Sequence, residues 1–251
     1  MVKSVKVIVA GKGGSGKSTI AVALARNAVK KGRHVVVVDA DESNPGIERM
    51  LDLNTSNQSL MDTIGDRRKV FGRLKGTSSK TVQATVRSVM EKTEDKDLSI
   101  VQVGKIRKAG SGCACPHGMI SRDILSYPFK SGAFVVMDTE AGIEHFGRGI
   151  DDKVDTIVFV VEPSYDSMKL CEETKKLADS ISVNFMVVLN KVDSEKVSTY
   201  IKDELAKKGI DVKITIPYDD KIFSSAMLGG PLEVGESTAS FDKLVSIILA
   251  S

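Results

Sequence analysis

The run Gly11-Lys12-Gly13-Gly14-Ser15-Gly16-Lys17-Ser18-Thr19 gathers glycines, hydroxyl residues and two lysines in one short stretch. It matches G-x-x-x-x-G-K-[ST], and it lies between an apolar strand pattern and a helical pattern, the context that motif needs. Glycines let successive backbone N–H groups converge on phosphate oxygens, and a helix starting at the end of the run adds its partial positive charge. In this reading Lys17 pairs with the β- and γ-phosphates, Ser18 ligates Mg²⁺, and Thr19 completes the nucleotide-binding run. Lys12 is an additional cation inside the loop. The chemistry implied is binding and hydrolysis of a nucleoside triphosphate.

A second set of residues could handle a different ion. The chain has three cysteines, and Cys113 and Cys115 are one residue apart in Gly110-Ser111-Gly112-Cys113-Ala114-Cys115-Pro116-His117-Gly118. A disulfide between such close neighbours is strained, and so few cysteines in a chain this long fit a reducing compartment. Thiolates in a Gly/Pro-bounded loop suit a soft or borderline metal. Two of them fill half of a tetrahedral Zn²⁺ or Fe–S site. His117 and Met119 flank the pair; each is either an exposed neighbour or an extra ligand. Cys171 falls within a helical pattern and reads as core packing.

Several acidic and amide residues end apolar runs. They are Asp39 and Asp41 in Val38-Asp39-Ala40-Asp41, Asp138 in Val136-Met137-Asp138-Thr139-Glu140-Ala141-Gly142, and Asn190 in Asn190-Lys191-Val192-Asp193. Asp39 could merely close a strand, and Asp41 or Asp193 could cap the following helix. Asn190-Lys191-x-Asp193 also has the form by which GTPases read guanine.

The loop Lys12-Gly13-Gly14-Ser15-Gly16-Lys17-Ser18 resembles the deviant Walker A loop of the MinD/nitrogenase-iron-protein family of dimeric P-loop ATPases. The resemblance implies ATP and Mg²⁺ as cofactors and a homodimer in which Lys12 reaches the partner's nucleotide, acting as an arginine finger does. It makes Lys12, Lys17 and Asp41 catalytic, with Asp41 positioning the attacking water. It places Ser18, Asp39 and Asp138 around Mg²⁺, and it makes Asp138 to Gly142 switch II, the amide of Gly142 sensing the γ-phosphate. It assigns the base to Asn190, Lys191 and the segment Ile216-Pro217-Tyr218-Asp219, favouring ATP over GTP.

The C-x-C pair is similar to that of the CooC-type accessory ATPases, which insert nickel into carbon monoxide dehydrogenase. That resemblance implies Ni²⁺ or Zn²⁺ on a two-fold axis, Cys113 and Cys115 being donated by each subunit, and a nickel-containing carbon monoxide dehydrogenase as client. A bridging [4Fe–4S] cluster in an ATP-driven electron carrier is the alternative. The nitrogenase iron protein, however, needs a further cysteine just after switch II, and Ala141-Gly142-Ile143-Glu144-His145-Phe146 has none. A GTPase metallochaperone and a positioning or partition ATPase are the remaining alternatives. The last is disfavoured because the C-terminal stretch Phe241–Ala250 lacks the basic face of a membrane-binding helix.

These residues need a frame. Runs at Val5–Ala10, His34–Asp39, Leu98–Val103, Phe134–Asp138, Thr156–Val161, Phe185–Asn190 and Val212–Ile216 are apolar on consecutive positions, as strands buried on both faces are. Helical patterns lie between or after them at Lys17–Lys31, Ser43–Leu51, Lys80–Lys92, Tyr165–Ser180, Ser194–Lys208 and Ser237–Ala250. The expected fold is α/β: one doubly wound, mostly parallel sheet with helices on both faces, residues 1–251 forming a single P-loop ATPase domain. Residues 53–97 are more polar than one crossover needs and read as a mainly helical insertion.

The 251 residues are 41% hydrophobic and 27% charged, with a formal net charge of +3. That charge is too small to argue for nucleic acid, and the clusters Arg67-Arg68-Lys69 and Lys105-Ile106-Arg107-Lys108 read as solvated faces. The N-terminal residues read as a strand running into the glycine loop rather than as a secretion signal. No apolar run approaches the roughly 18–20 residues that span a bilayer. A cytoplasmic protein with neither a nucleic-acid nor a membrane partner is expected.

Overall fold

Residues 35–38 are four consecutive valines. A strand with no polar face is stable only when both of its faces are covered, which in a parallel sheet is done by the crossover helices. The computed structural model describes residues 3–41, 46–53, 59–60, 63, 79–93, 97–104, 115–140 and 153–251. Its strands are β1 (Val5–Gly11), β2 (Val35–Ala40), β3 (Leu98–Gln102), β4 (Phe134–Thr139), β5 (Thr156–Val161), β6 (Asn184–Val192) and β7 (Val212–Pro217). They form one seven-stranded sheet in the order β3-β2-β4-β1-β5-β6-β7. Every neighbouring pair is parallel.

The helices are α1 (Lys17–Lys30), α2 (Ile47–Leu51), α3 (Ser79–Thr93), α4 (Cys115–Leu125), α5 (Tyr165–Ser180), α6 (Glu195–Ala206), α7 (Asp220–Leu228) and α8 (Thr238–Ala250). Alternate strand residues feed two separate cores, as the two-residue period of a strand requires. Val7, Val9, Val35 and Val37 pack with Ile20 and Leu24 of α1 and with Phe241 and Leu244 of α8. Ile8, Ala10, Val36 and Val38 pack with Val86 of α3, Ile124 of α4, Cys171 of α5 and Ile201 of α6. The doubly wound sheet is therefore as the apolar runs imply, and Cys171 is a core residue, its thiol pushed up to about 12 by burial.

Two helices lie beyond the sequence expectation. One is α4, which starts at Cys115 and continues through Pro116 and His117. Cys115, His117 and Met119 are therefore helical positions rather than loop ones. Proline suits the first turn, where its missing N–H costs nothing, and buried Ile120, Ile124 and Leu125 hold the helix to the sheet. The other is α7, directly after β7. Of the segment expected to form an insertion, residues 79–93 are α3, and most of the remainder lies outside the described residues. Among the described residues no helix is long and apolar enough to cross a membrane.

Three helix starts are capped by side chains. Ser164 caps α5, accepting from the Ser167 amide. Ser194 caps α6, accepting from the Val197 amide, so the cap falls one residue after Asp193. Asp219 does more. Its Oδ1 accepts from the Lys221 and Ile222 amides at 3.0 and 3.3 Å, and its Oδ2 from those of Gly235 and Ser237 at 3.0 and 2.9 Å. One carboxylate thus starts α7 and pins the chain entering α8. Burial pushes its pKa up, but the hydrogen bonds from Ser237, Ile222 and Gly235 outweigh this and leave it below the ordinary 3.8.

A depressed carboxylate pKa contributes stability above the unfolded value that is lost as pH falls through the folded one. Asp219→Ala is expected to cost about 2 kcal/mol or more. In urea denaturation the gap between wild type and variant should shrink as pH drops below about 4.

Candidate functional site

In a parallel sheet all C-terminal strand ends lie along one edge, and ligands bind where the strand order turns back. Here β1 lies between β4 and β5, so the loop after β1 opens at that point. Its last residue, Gly16, has φ +96° and precedes α1. A Cβ on Gly16 would sit 2.5 Å from Asn190 Nδ2, so both the conformation and the space demand glycine. Gly11 (φ +150°) has a Cβ position 2.5 Å from the Val160 carbonyl oxygen of β5. The loop is thus packed closely against Asn190 and Val160 at these two glycines.

Lys17 is buried at the start of α1, and its Nζ donates to the Lys12 carbonyl at 3.2 Å. Asn190 is buried; its amide nitrogen donates to the Ser15 carbonyl at 2.9 Å. Lys191 Nζ donates to the Gly14 carbonyl at 2.6 Å. These two residues reach the loop because β6 bulges. From Leu189 to Val192 it advances three residues while β7 advances two, from Thr215 to Pro217. Lys191 takes the extra step at φ +58°, and such a bulge re-aims side chains at a strand end.

The acidic residues collect beside Ser18. Asp39 of β2 is in register with Asp138 of β4, which is in register with Val9 of β1. Ser18 Oγ donates to Asp138 Oδ2 at 2.6 Å. Asp138 Oδ1 is buried with no hydrogen-bond partner among the described residues. Asp39 and Asp41 are buried as well. Burial is the main force pushing the Asp138 carboxyl up to about 7; Asp39 and Asp41 push the same way, against Ser18 and Lys17. A buried acidic cluster with an unpartnered oxygen, next to a hydroxyl and a phosphate loop, has the donor set for a hard divalent cation. No group of three or more His, Cys, Asp or Glu among the described residues is arranged to hold a metal by itself. A cation at Ser18 therefore needs oxygens from the phosphates as well.

A cleft of about 350 Å³ runs from Lys17, Ser18 and Thr19 past Asp41 and Asn190 to Pro217 and Asp219. It thus brings together the phosphate residues, Asp41 and the base residues nominated by the sequence. Gly13 belongs to the same loop but is exposed. Asp193 is exposed and does not line the cleft. Gly142 and Cys113 lie outside the described residues, as do the side chains of Cys115, His117 and Met119.

Sequence reasoning missed Glu162 and the apolar end of the cleft. Glu162 follows β5, 3.5 Å from Lys12 Nζ and 3.9 Å from Lys191 Nζ. Its signal was the carboxylate ending Val160-Val161-Glu162-Pro163, of the same form as Val38-Asp39. Arg49 and Met50 of α2, and Ile222, Phe223 and Ala226 of α7, line the other end.

Comparison with known proteins decides the lineage. Residues 6–232 match the family model for the CobQ/CobB/MinD/ParA nucleotide-binding domain. The chain belongs to this family. It is 32% identical to an ATP-binding protein of Methanocaldococcus jannaschii, covering 90% of this chain and 93% of that one. It is 30% identical to the carbon monoxide dehydrogenase accessory protein CooC of Rhodospirillum rubrum, covering 89% of this chain and 88% of the relative. The septum site-determining protein MinD of Pyrococcus horikoshii, solved with Mg-ADP, superposes with a TM-score of 0.69 over 99% of this chain and 96% of its own, at 14% identity. The last likeness concerns the fold alone. The protein is thus a P-loop ATPase of MinD/ParA type.

The raised pKa of Asp138 has a measurable consequence. A carboxyl that is protonated up to about 7 in the fold, against 3.8 ordinarily, contributes stability below pH 3.8 that is lost as pH rises through about 7. Asparagine imitates the protonated form and keeps an acceptor for Ser18. In thermal melts without metal or nucleotide, Asp138→Asn should gain on wild type as pH rises from about 5 to about 8. A gap independent of pH would show that the carboxyl is already ionised at the lower pH.

Proposed function

We propose that this ATPase is a dimeric metal carrier that couples ATP hydrolysis to nickel insertion into an enzyme of the carbon monoxide dehydrogenase type. The observation that carries the reading is 30% identity to the CooC accessory protein over 89% of the chain, in a sequence that carries Cys113-x-Cys115. Cys115 begins α4, the helix that follows β3, and Cys113 precedes it by two residues in the sequence. The C-terminal end of β3 lies on the sheet edge on which the phosphate loop opens. Two subunits meeting across that edge bring four thiolates together, a set that takes Ni²⁺ or Zn²⁺ as cargo.

Within each subunit, the loop amides from Gly11 to Ser18 hold the phosphates, and Lys17 exchanges the Lys12 carbonyl for the β- and γ-phosphates. Lys12 crosses to the partner's nucleotide and offsets charge on the transferring phosphoryl group. Asp41, buried at the cleft wall, orients the attacking water. Ser18, Asp39 and Asp138 would hold Mg²⁺, whose chemistry when bound is to neutralise the phosphate oxygens. Gly142 serves as the switch II amide.

Adenine is favoured over guanine on two grounds. Asn190 spends its amide nitrogen on Ser15, which leaves Oδ1 to accept from the exocyclic amine of adenine, where guanine presents a carbonyl. Asp193, the residue that would read guanine, is exposed and does not line the cleft. Lys191, Pro217 and the backbone at Asp219 complete the base end.

The double variant Cys113→Ser/Cys115→Ser is expected to keep ATP turnover and lose metal. Elemental analysis of the wild-type dimer peak, sized with ATP, should give about one Ni²⁺ or Zn²⁺ per two chains. Metal retained by the variant refutes the carrier reading, and a brown anaerobic preparation with cluster absorbance would replace it with the electron-transfer one. Lys12→Ala should bind ATP normally yet hydrolyse it at least about a hundredfold more slowly, a loss read from single-turnover rates.

A further inference from the structure

The base end of the cleft is built from surfaces more than from polar groups. Asn190 already serves the phosphate loop, and the Asp219 carboxylate accepts from four backbone amides. Besides Arg49 and Lys191, what remains is mainly apolar: Met50, Pro217, Tyr218, Ile222, Phe223 and Ala226. Within this group Phe223 is 53% exposed and Tyr218 44% exposed. Their ring centroids are 6.0 Å apart with planes at 39°, so together they form one continuous aromatic wall.

The core does not account for that wall. The only residue of α7 that is buried is Ser225; Ile222 is half-buried against the core, and Phe223 is exposed. Large apolar side chains left open beside a ligand cleft mark surface that a ligand covers. The cleft is also continuous from Lys17 and Ser18 to Phe223, so whatever the phosphate loop holds extends along it.

We infer that Phe223, backed by Tyr218, is the stacking platform for the purine of ATP. The inference rests on the ATPase reading and deepens it. The platform binds a base by its face, so it favours purines over the smaller pyrimidines and is indifferent to the base edge. The edge is left to Asn190 Oδ1. Phosphate affinity and base affinity therefore reside in different elements, the loop before α1 and the exposed side of α7.

The sequence supplies a clean reporter. The chain contains no tryptophan, so Phe223→Trp introduces a single indole at the platform, and the exposure of Phe223 leaves room for it. Titration of wild type, Phe223→Ala and Phe223→Trp with ATP, CTP and inorganic tripolyphosphate tests the proposal. Phe223→Ala should raise the Kd for ATP about tenfold, the order that one base–aromatic stack contributes elsewhere, and leave the Kd for tripolyphosphate unchanged. The Phe223→Trp emission should be quenched by ATP, less by CTP, and not by tripolyphosphate. Wild-type ATP affinity in Phe223→Ala, or Trp emission that ignores saturating ATP, overturns the platform while the ATPase reading stands. A wild-type chain that binds tripolyphosphate and ATP equally well overturns it too, because the base then adds nothing. A wild-type chain that binds neither ligand overturns the ATPase reading itself.

Discussion

The hydrogen bond from Asn190 to the Ser15 carbonyl, beneath a glycine that has no room for a Cβ, is the constraint on which the site depends. A phosphate loop must turn its N–H groups outward, so its carbonyls turn inward and need partners. Lys17 takes the Lys12 carbonyl, Lys191 takes that of Gly14, and Asn190 takes that of Ser15. Two of these three donors come from β6, which lies two strands away from β1 in the sheet. The bulge in β6 and the positive φ of Lys191 are the backbone deformation by which they reach. The base site and the phosphate site therefore share a wall, and a change at Asn190 would disturb both.

Electrostatics sets the second requirement. Asp39, Asp41 and Asp138 are all buried near one buried lysine. Burying a charge without a partner is costly, and the group responds by holding its proton. Asp138 does so in part, its carboxyl pushed up to about 7 chiefly by burial. A divalent cation arriving with phosphate oxygens would reverse that preference. The cluster therefore favours a bound divalent cation.

Most of the frame was legible because it rests on local signals. Valine runs such as 35–38 can only be strands covered on both faces, and Gly16-Lys17-Ser18 can only begin a helix over a phosphate loop. What escaped notice depended on tertiary context. Helix α7 hides because its core contact is slight: Ile222 packs on the core, while Phe223 and Ala226 line the cleft, so helical periodicity signals little about burial. Helix α4 hides behind Gly110, Gly112 and Pro116, which read as loop punctuation although proline is at home in a first turn. Asp219 was legible as part of Ile216-Pro217-Tyr218-Asp219. Its work as a clasp was not, because two of its donors, Gly235 and Ser237, lie far along the chain.

The strand order carries one more consequence. β3 is an edge strand, three places from β1 with β2 and β4 between them. At roughly 4.8 Å per strand, the chain leaving β3 starts about 14 Å from the phosphate loop. No side chain spans that gap. Between the ends of β3 and β1 stand the ends of β2 and β4, which carry Asp39 and Asp138 in register. The register of this acidic pair across two adjacent strands makes any shift in one felt by the other.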